Sequence, residues 1–298
     1  RDCRIEETSG VSQVDIYVPL LIPTLRMLTN RVEKDYDSIL EKVLSESDGT
    51  VYVVQPSLAA LEALVETASA HDGDRPTLRV LAEADVCKDL RREFLLASRA
   101  ADLVADGVLE LRSADAEQGN HLYVTDEAVH AVVAAGSHVA LLTTDDEEFT
   151  AAAGDRCAAR WESAEAFDLR TPPRSRVDGA LRETIGEEVA ETFSAVLASV
   201  EAIRGDDDLD EVALSLLVAA RHEVLLYDIS KWGEDIGVAS KATFSRVKNK
   251  LEDAGLITTE KVPMDIGRPR LRLLLGEDRL READPDELVG VAEDLLAS

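Results

Sequence analysis

Hydrophobic residues in the first half of the chain alternate between two spacings. Short runs rich in β-branched residues predict strands at 50–56, 77–83 and 108–113. Apolar positions that recur every three or four residues predict helices at 35–44, 57–70 and 85–107. Ser57 stands at an expected helix N-cap, and Gly107 stands where the third helix would end. This order of elements favours parallel strands joined by helices.

Three more apolar segments follow closely on one another, at 121–126, 128–135 and 138–144. Because only short turns separate them, they predict an antiparallel meander. A helix near 145–160 closes the unit. The elements together predict a mixed α/β domain over 33–170, and not a purely doubly wound fold.

The segment RTPPRS at 170–175 interrupts this pattern with two prolines and predicts a domain boundary. From 177 to 205 a continuous apolar seam predicts one long helix, which defines a linking unit over 176–205. The seam consists of Leu181, Ile185, Val189, Phe193, Val196, Val200 and Ile203. Two interpretations are open, because such a helix can join two copies into a homodimer or pack on its own domain.

The pattern over 206–276 predicts helix, helix, turn, helix and hairpin, the order of a winged helix-turn-helix. In the third helix, 241–254, Phe244, Val247 and Leu251 share one face and are predicted to point to the core. The hairpin tip is predicted near Ile266–Gly267, and a C-terminal helix is expected over 277–298.

The opposite face of the third helix carries side chains suited to base edges, since arginine pairs with guanine and asparagine with adenine. The residues predicted on this face are Ala242, Ser245, Arg246, Asn249, Asp253 and, at one edge, Lys250. Ser240 is the expected N-cap, and Lys241 with the first-turn N–H groups suits a phosphate. In the hairpin, the alternating Arg268, Arg270 and Arg272 are predicted to face DNA together. Any one of these residues alone is equally consistent with a solvated surface.

The chain has a net charge of -28, from 60 acidic and 32 basic residues, but the region around the third helix has the opposite sign. Residues 240–272 carry eight basic and four acidic side chains, a local excess of positive charge. The acidic remainder predicts adaptation to high salt and a halophilic archaeal source. Since salt weakens phosphate contacts, Arg246 and Asn249 are expected to matter more for specificity than the hairpin arginines.

Other chemistry is sparse in this sequence. Cys3, Cys87 and Cys157 lie far apart, so neither a disulfide framework nor a metal site is predicted, and no cofactor is expected. No apolar run is long enough to cross a membrane, which favours a cytoplasmic protein. Residues 1–32 read as an N-terminal extension, and Met27 is a candidate natural start, with a genuine N-terminal strand or arm as the alternative.

The segment ISKWGEDIGVASKATFSRVKNKLEDAGLI, followed by GRPRLRL, resembles the winged-helix domains of archaeal transcriptional regulators. Over 27–298 the layout of an α/β unit followed by a winged helix resembles the haloarchaeal TbsP family, which is linked to the TrmB regulators. This resemblance implies a homodimeric regulator that binds double-stranded promoter DNA of glycolytic or gluconeogenic genes. It implies no enzymatic activity.

The α/β unit lacks the phosphate-binding and catalytic motifs GxGxxG, P-loop, HExxH and GxSxG. His121 and Tyr123 resemble a phospholipase-D-type HxK motif in which tyrosine replaces the lysine. The TrmB resemblance implies a sugar or sugar-phosphate site where strands end, and the candidate residues are Gln55, Ser57, Arg112, Ser113, His121 and Thr125. Ordinary turn and cap roles are the alternative for each. Two other functions stay open: an enzyme acting on a phosphorylated compound, and an adaptor whose winged helix binds protein.

Overall fold

The computed structural model describes residues 31–33, 36–71, 73–115, 119–135, 138–203, 209–264 and 268–297. The predictions for the stretch before Met27 and for the hairpin tip lie outside these residues. The predicted fold class is confirmed, with a mixed α/β N-terminal part and a helical C-terminal part that carries the helix-turn-helix.

The N-terminal part forms one mixed sheet with helices on both faces. Its elements are β1 Arg31–Glu33, α1 Asp37–Ser45, β2 Thr50–Val54, α2 Leu58–Ala70, β3 Thr77–Glu83, α3 Ala84–Arg92, α4 Phe94–Ala105, β4 Leu109–Ala114, β5 His121–Val124, β6 Val129–Ala135, β7 His138–Thr144, α5 Glu147–Ser163 and β8 Glu165–Ala166. The strand order is β1-β7-β6-β5-β2-β3-β4-β8, in which β2, β3 and β4 are parallel and the other pairings are antiparallel. The predicted meander is therefore confirmed as β5–β6–β7.

Strand alternation divides the side chains between two cores. Val51 and Val53 of β2 face a core shared with α1, α2, α3 and α4. Val54 faces the other side, where it packs with Val124, Val129 and Cys157 under α5. We call these the α1–α4 face and the α5 face of the sheet.

The single helix predicted over 85–107 is wrong, because the chain bends at Glu93 and forms α3 and α4 instead. Glu93 has extended backbone angles, φ -81° and ψ 91°. The bend lets Phe94 and Leu95 pack against the core of the C-terminal part, while Ala97 of α4 remains buried in the N-terminal core. One straight helix could not serve both cores.

The C-terminal part consists of nine described elements packed around one core. They are α6 Arg174–Thr184, α7 Glu187–Ile203, α8 Glu211–Arg221, α9 Leu226–Ile236, α10 Lys241–Asp253, β9 Ile257–Val262, β10 Arg270–Leu275, α11 Asp278–Glu282 and α12 Leu288–Leu296. The single helix predicted over 277–298 is thus replaced by α11 and α12. Pro285 lies between them and lacks the N–H that a continuous helix would need.

The single long helix predicted over 177–205 is also wrong. It divides into α6 and α7 at Gly186, whose φ of 149° lies outside the helical region. Four residues of the predicted seam are at most 6% exposed and pack inside this chain: Leu181, Val189, Phe193 and Val196. Ile185 and Val200 are partly buried against the same core. The seam therefore packs α6 and α7 onto the winged helix, and a homodimer needs another surface.

Candidate nucleic-acid interface

The helix-turn-helix is formed by α9, a short turn and α10. Gly237 ends α9 in the left-handed conformation, with φ 88°. The side chain of Ser240 then caps α10, its Oγ accepting the N–H of Thr243 at 3.2 Å. Phe244, Val247 and Leu251 are at most 5% exposed, so the predicted buried face of this helix is confirmed.

A close approach between α9 and α10 fixes their separation. A Cβ atom built on Gly233 of α9 would lie 2.3 Å from the ring of Phe244 in α10, which is closer than any real contact. Phe244 is itself fully buried, so the ring fills the place that a larger residue on α9 would occupy. The orientation of α10 therefore depends on glycine at this position.

The outward face of α10 lies where the sequence predicted it. Ala242, Ser245, Arg246, Asn249 and Lys250 are all exposed. Within the described part of the chain, Arg246 and Lys250 have no carboxylate partner. Their guanidinium and ammonium groups can thus reach a ligand without first breaking an internal ion pair.

Lys248 belongs to a different environment from its neighbours. It is 8% exposed, and its Nζ lies 2.6 Å from Glu252 Oε2 in the same helix. Glu252 also accepts the hydroxyl of Thr259 at 2.8 Å, which links α10 to β9. Lys248 therefore holds Glu252, which links α10 to the hairpin, and adds little to the exposed positive charge of α10.

The hairpin that follows α10 is a wing built on three strands. β9 pairs antiparallel with β10 over the full length of both. Val224 O accepts the N–H of Leu273 at 3.0 Å, and Leu225 forms a bridge with Arg272, so the segment before α9 adds a short third strand. This strand was not predicted from the sequence, because two residues are too few to show a periodic pattern.

The wing arginines contact acidic side chains of their own chain. Arg270 lies 3.2 Å from Asp228 and also stacks over the ring of Tyr227, with 4.1 Å from Cζ to the ring centroid. Arg272 lies 3.4 Å from Glu223. Arg268 is exposed beside the end of β10. Arg270 and Arg272 do share one side of the wing, but this side also carries carboxylates.

Lys241 at the start of α10 has an equally close partner. Its Nζ lies 2.6 Å from Glu234 Oε2, and its backbone N–H donates to Glu234 Oε1 at 3.4 Å. The hydrogen bond raises the pKa of Lys241 and lowers the pKa of Glu234. A carboxylate thus stands where the sequence analysis predicted a phosphate.

The family is decided by two sequence matches that together span almost the whole chain. Residues 28–172 match the family described as transcriptional regulator TbsP-like, N-terminal. Residues 173–293 match the C-terminal HTH domain of the same regulators. The chain belongs to the TbsP-like transcriptional regulators. No curated protein matches the chain.

Solved structures resemble the TbsP-like chain only weakly. TrmBL2, described as an archaeal chromatin protein with a novel mode of DNA binding, has 15% identity and a TM-score of 0.34, over 49% of this chain and 57% of its own. The phospholipase D family member Nuc from Salmonella typhimurium has 8% identity and a TM-score of 0.34, over 46% and 98%. NucT from Helicobacter pylori has 16% identity and a TM-score of 0.34, over 47% and 99%. The aligned region spans less than two thirds of TrmBL2.

The described part of the TbsP-like chain contains neither a membrane-spanning helix nor a cluster of metal-binding side chains. No helix among the described residues is long and apolar enough to cross a membrane. Nor does the described part of the chain gather three or more histidine, cysteine, aspartate or glutamate side chains that could hold a metal ion.

The residues predicted for a ligand site divide between different edges and faces of the sheet. Strand register places Ser113 and His121 at one edge, where β4 ends and β5 begins, on the α1–α4 face. Gln55 directly follows β2 at the same edge. Thr125 follows the other end of β5 and lies at the opposite edge. There its hydroxyl accepts the N–H of Ala128 at 3.0 Å, as a turn residue does.

Arg112 and Ser57 have structural partners. Arg112 lies on the α5 face, where Nη1 donates to the carbonyls of Trp161 and Ala164 and Cζ lies 4.6 Å from the centroid of the Trp161 ring. It thereby holds the C-terminal end of α5 and does not point to the edge formed by Gln55, Ser113 and His121. The hydroxyl of Ser57 accepts the N–H of Ala60 at 3.2 Å, which confirms the predicted cap of α2.

His121 and Tyr123 are polar side chains at that edge, Tyr123 fully buried and His121 partly buried with its Nε2 atom inside. Their ring centroids lie 4.8 Å apart, and neither His121 Nε2 nor Tyr123 Oη has a hydrogen-bond partner among the residues that the structure describes. Burial lowers the pKa of His121 from its ordinary value of 6.5 to about 4. His121 is therefore neutral at neutral pH and brings no positive charge to this edge.

The buried state of His121 predicts how stability depends on pH. In the unfolded chain His121 binds a proton below about pH 6.5, whereas in the folded chain it binds one only below about pH 4. The free energy of unfolding therefore decreases as the pH is lowered from 6.5 to 4. A His121→Gln variant is expected to show a weaker fall than the wild type in urea unfolding at a series of pH values. His138→Gln, at an exposed site, is the matched control. Equal slopes for wild type and His121→Gln would contradict the assignment.

Proposed function

We propose that this protein is a homodimeric transcriptional regulator that reads promoter DNA through the outward face of α10 and contacts the backbone with its wing. The proposal is supported mainly by the arrangement of α10. Its apolar face is buried on α8 and α9, while Arg246 and Asn249 are exposed on the opposite face, and Arg246 has no carboxylate partner among the described residues. An exposed helix of this kind fits the major groove, where arginine and asparagine distinguish base pairs.

The genes that it regulates are proposed to be those of central carbon metabolism, in the cytoplasm of a haloarchaeon. Support for this comes from the resemblance to the TrmB-linked TbsP family and from the acidic composition of the chain. A homodimer is proposed because helix-turn-helix proteins commonly bind two half-sites as symmetric pairs. The dimer surface must differ from the buried seam of α6 and α7.

The base-reading role is tested by an Arg246→Ala variant. An operator would first be selected from a random duplex library with the wild-type protein. Loss of a bidentate arginine–guanine contact costs about 1–3 kcal/mol, or roughly 5- to 150-fold in affinity. Gel shifts on the selected duplex should show this loss, whereas affinity for unrelated duplexes should change little.

Arg92→Ala is a matched control, since Arg92 is exposed on α3 in the other domain. It removes the same charge and should leave operator affinity close to that of the wild type. Unchanged operator affinity in the Arg246→Ala variant would show that Arg246 does not read bases. A uniform loss on all duplexes would instead assign Arg246 to phosphate contact.

We further propose that a small sugar binds at the sheet edge formed by Gln55, Ser113 and His121 and modulates DNA binding. A neutral His121, together with an Arg112 that faces α5, favours an uncharged sugar over a sugar phosphate there. Thermal unfolding with glucose and with glucose 6-phosphate tests this, because a ligand of the folded state raises the midpoint temperature. A shift with neither compound would contradict the choice of ligand.

A further inference from the structure

Acidic side chains of the chain itself stand beside three of the cations on the proposed DNA-binding surface. The N–O distances are 2.6 Å for Lys241–Glu234, 3.2 Å for Arg270–Asp228 and 3.4 Å for Arg272–Glu223. The paired side chains keep between 34% and 61% of their surface exposed, so solvent reaches every pair. We call Glu223, Asp228 and Glu234 the carboxylate screen. Arg272 also lies 3.8 Å from Glu260 of β9, which is more distant than Glu223 and is not counted in the screen.

The carboxylate screen comes from one short stretch of sequence. Glu223 lies in the turn after α8, Asp228 in the first turn of α9 and Glu234 near the end of α9. It leaves the outward face of α10 untouched, since Arg246 and Lys250 have no acidic partner among the described residues. The surface therefore carries two classes of cation. Arg246 and Lys250 have no acidic partner among the described residues, whereas Lys241, Arg270 and Arg272 are each paired with a carboxylate.

We propose that the carboxylate screen competes with DNA phosphates for Lys241, Arg270 and Arg272, so that these cations bind DNA by exchanging one anion for another. The inference rests on the DNA binding proposed above. Breaking the internal pairs weakens the backbone contacts to every duplex alike, while base contacts by Arg246 and Asn249 are unaffected. The carboxylate screen therefore lowers the affinity for every duplex and leaves the ratio of specific to non-specific affinity unchanged.

The exchange has a consequence for salt dependence. A cation that neutralises a DNA phosphate releases condensed counterions, which gives a log–log slope of about -0.9 per phosphate. When the cation leaves an internal pair, the freed carboxylate attracts cations from solution, and this uptake offsets the release. Paired cations therefore contribute less to the salt dependence than unpaired ones.

The position of Glu234 illustrates the competition at atomic scale. Its two oxygens contact both the ammonium group and the backbone N–H of Lys241, at 2.6 Å and 3.4 Å. These are the donors that a backbone phosphate would use at the start of α10. Phosphate and Glu234 cannot occupy this place together, so one must displace the other.

The test compares two variants of the full chain with equal changes in net charge. E223Q/D228N/E234Q removes the carboxylate screen, and E127Q/D155N/E165Q removes three exposed acids of the N-terminal domain. Fluorescence anisotropy would measure binding to a labelled duplex of mixed sequence over a series of NaCl concentrations. The screen variant should bind several-fold more tightly than the control variant, with a slope steeper by up to about 0.9 for each exchanged pair.

Equal slopes and affinities for the two variants would overturn the exchange while leaving DNA binding intact. Failure of the wild type to bind any duplex, even at low salt, would refute the DNA binding on which the exchange rests. A second measurement is a double-mutant cycle of Lys241 and Glu234, whose side chains are 42% and 45% exposed. Lys241→Gln should weaken binding by a larger factor in an E234Q background than in the wild type, and equal factors would also overturn the proposal.

Discussion

Replacing Phe244 with alanine is expected to lower the free energy of unfolding by about 3–5 kcal/mol. The ring is fully buried and belongs to the core shared by α6 to α10, the wing and α12. It is also the contact that sets the distance between α9 and α10, through Gly233. Alanine would leave a cavity between α9 and α10, and the surrounding helices fill such a cavity only partly.

Urea unfolding followed by circular dichroism measures this loss. Phe149→Ala is the matched control, because Phe149 lies in the first turn of α5 and is 55% exposed. The control should change the free energy of unfolding by less than about 0.5 kcal/mol. A loss below about 1 kcal/mol for Phe244→Ala would show that this side chain does not organise the domain.

The success of the sequence analysis at α10 has a simple physical basis. A helix that is half buried must repeat its apolar residues every three or four positions, and Phe244, Val247 and Leu251 do so. The outward residues, such as Arg246 and Asn249, then follow from helix geometry alone. The meander was predictable for the same reason, since strand alternation and short turns are local features.

The helix breaks were not predictable from the apolar pattern. The seam through Leu181 and Val189 continues across Gly186, so periodicity alone cannot reveal that α6 and α7 change direction there. Glu93 is an ordinary helix former, yet α3 and α4 separate at it because Phe94 must reach a second core. Both breaks are imposed by tertiary packing, which overrides local propensity.

The acidic partners of the wing arginines also could not be predicted from the sequence. Arg270 and Asp228 are 42 positions apart, and Arg272 and Glu223 are 49 apart, so only the fold brings them together. Counting basic residues therefore overestimated the unpaired positive charge of the wing. Arg112 is a related case. Its position near the end of a strand was predicted, but the face of the sheet to which its side chain points was not.

Alanine at Gly233 is expected to lower the free energy of unfolding by about 1–3 kcal/mol and to weaken DNA binding. In a helix alanine is normally better than glycine by about 1 kcal/mol, so the expected sign is opposite to helix propensity. The reason is steric, since the new Cβ would lie 2.3 Å from Cε2 and 2.4 Å from Cζ of Phe244. The ring has no free volume to enter, and α10 must move outward.

Gly154→Ala in α5 is the matched control, because its Cβ would meet no atom within 4 Å. It should be neutral or stabilising by up to about 1 kcal/mol, as helix propensity requires. The mechanism is tested further in a Phe244→Leu background, where a smaller side chain leaves room for the added methyl group. There Gly233→Ala should cost less than in the wild type, a coupling that contacting residues show and distant ones do not. Equal costs in the two backgrounds would mean that the Gly233–Phe244 contact does not position α10.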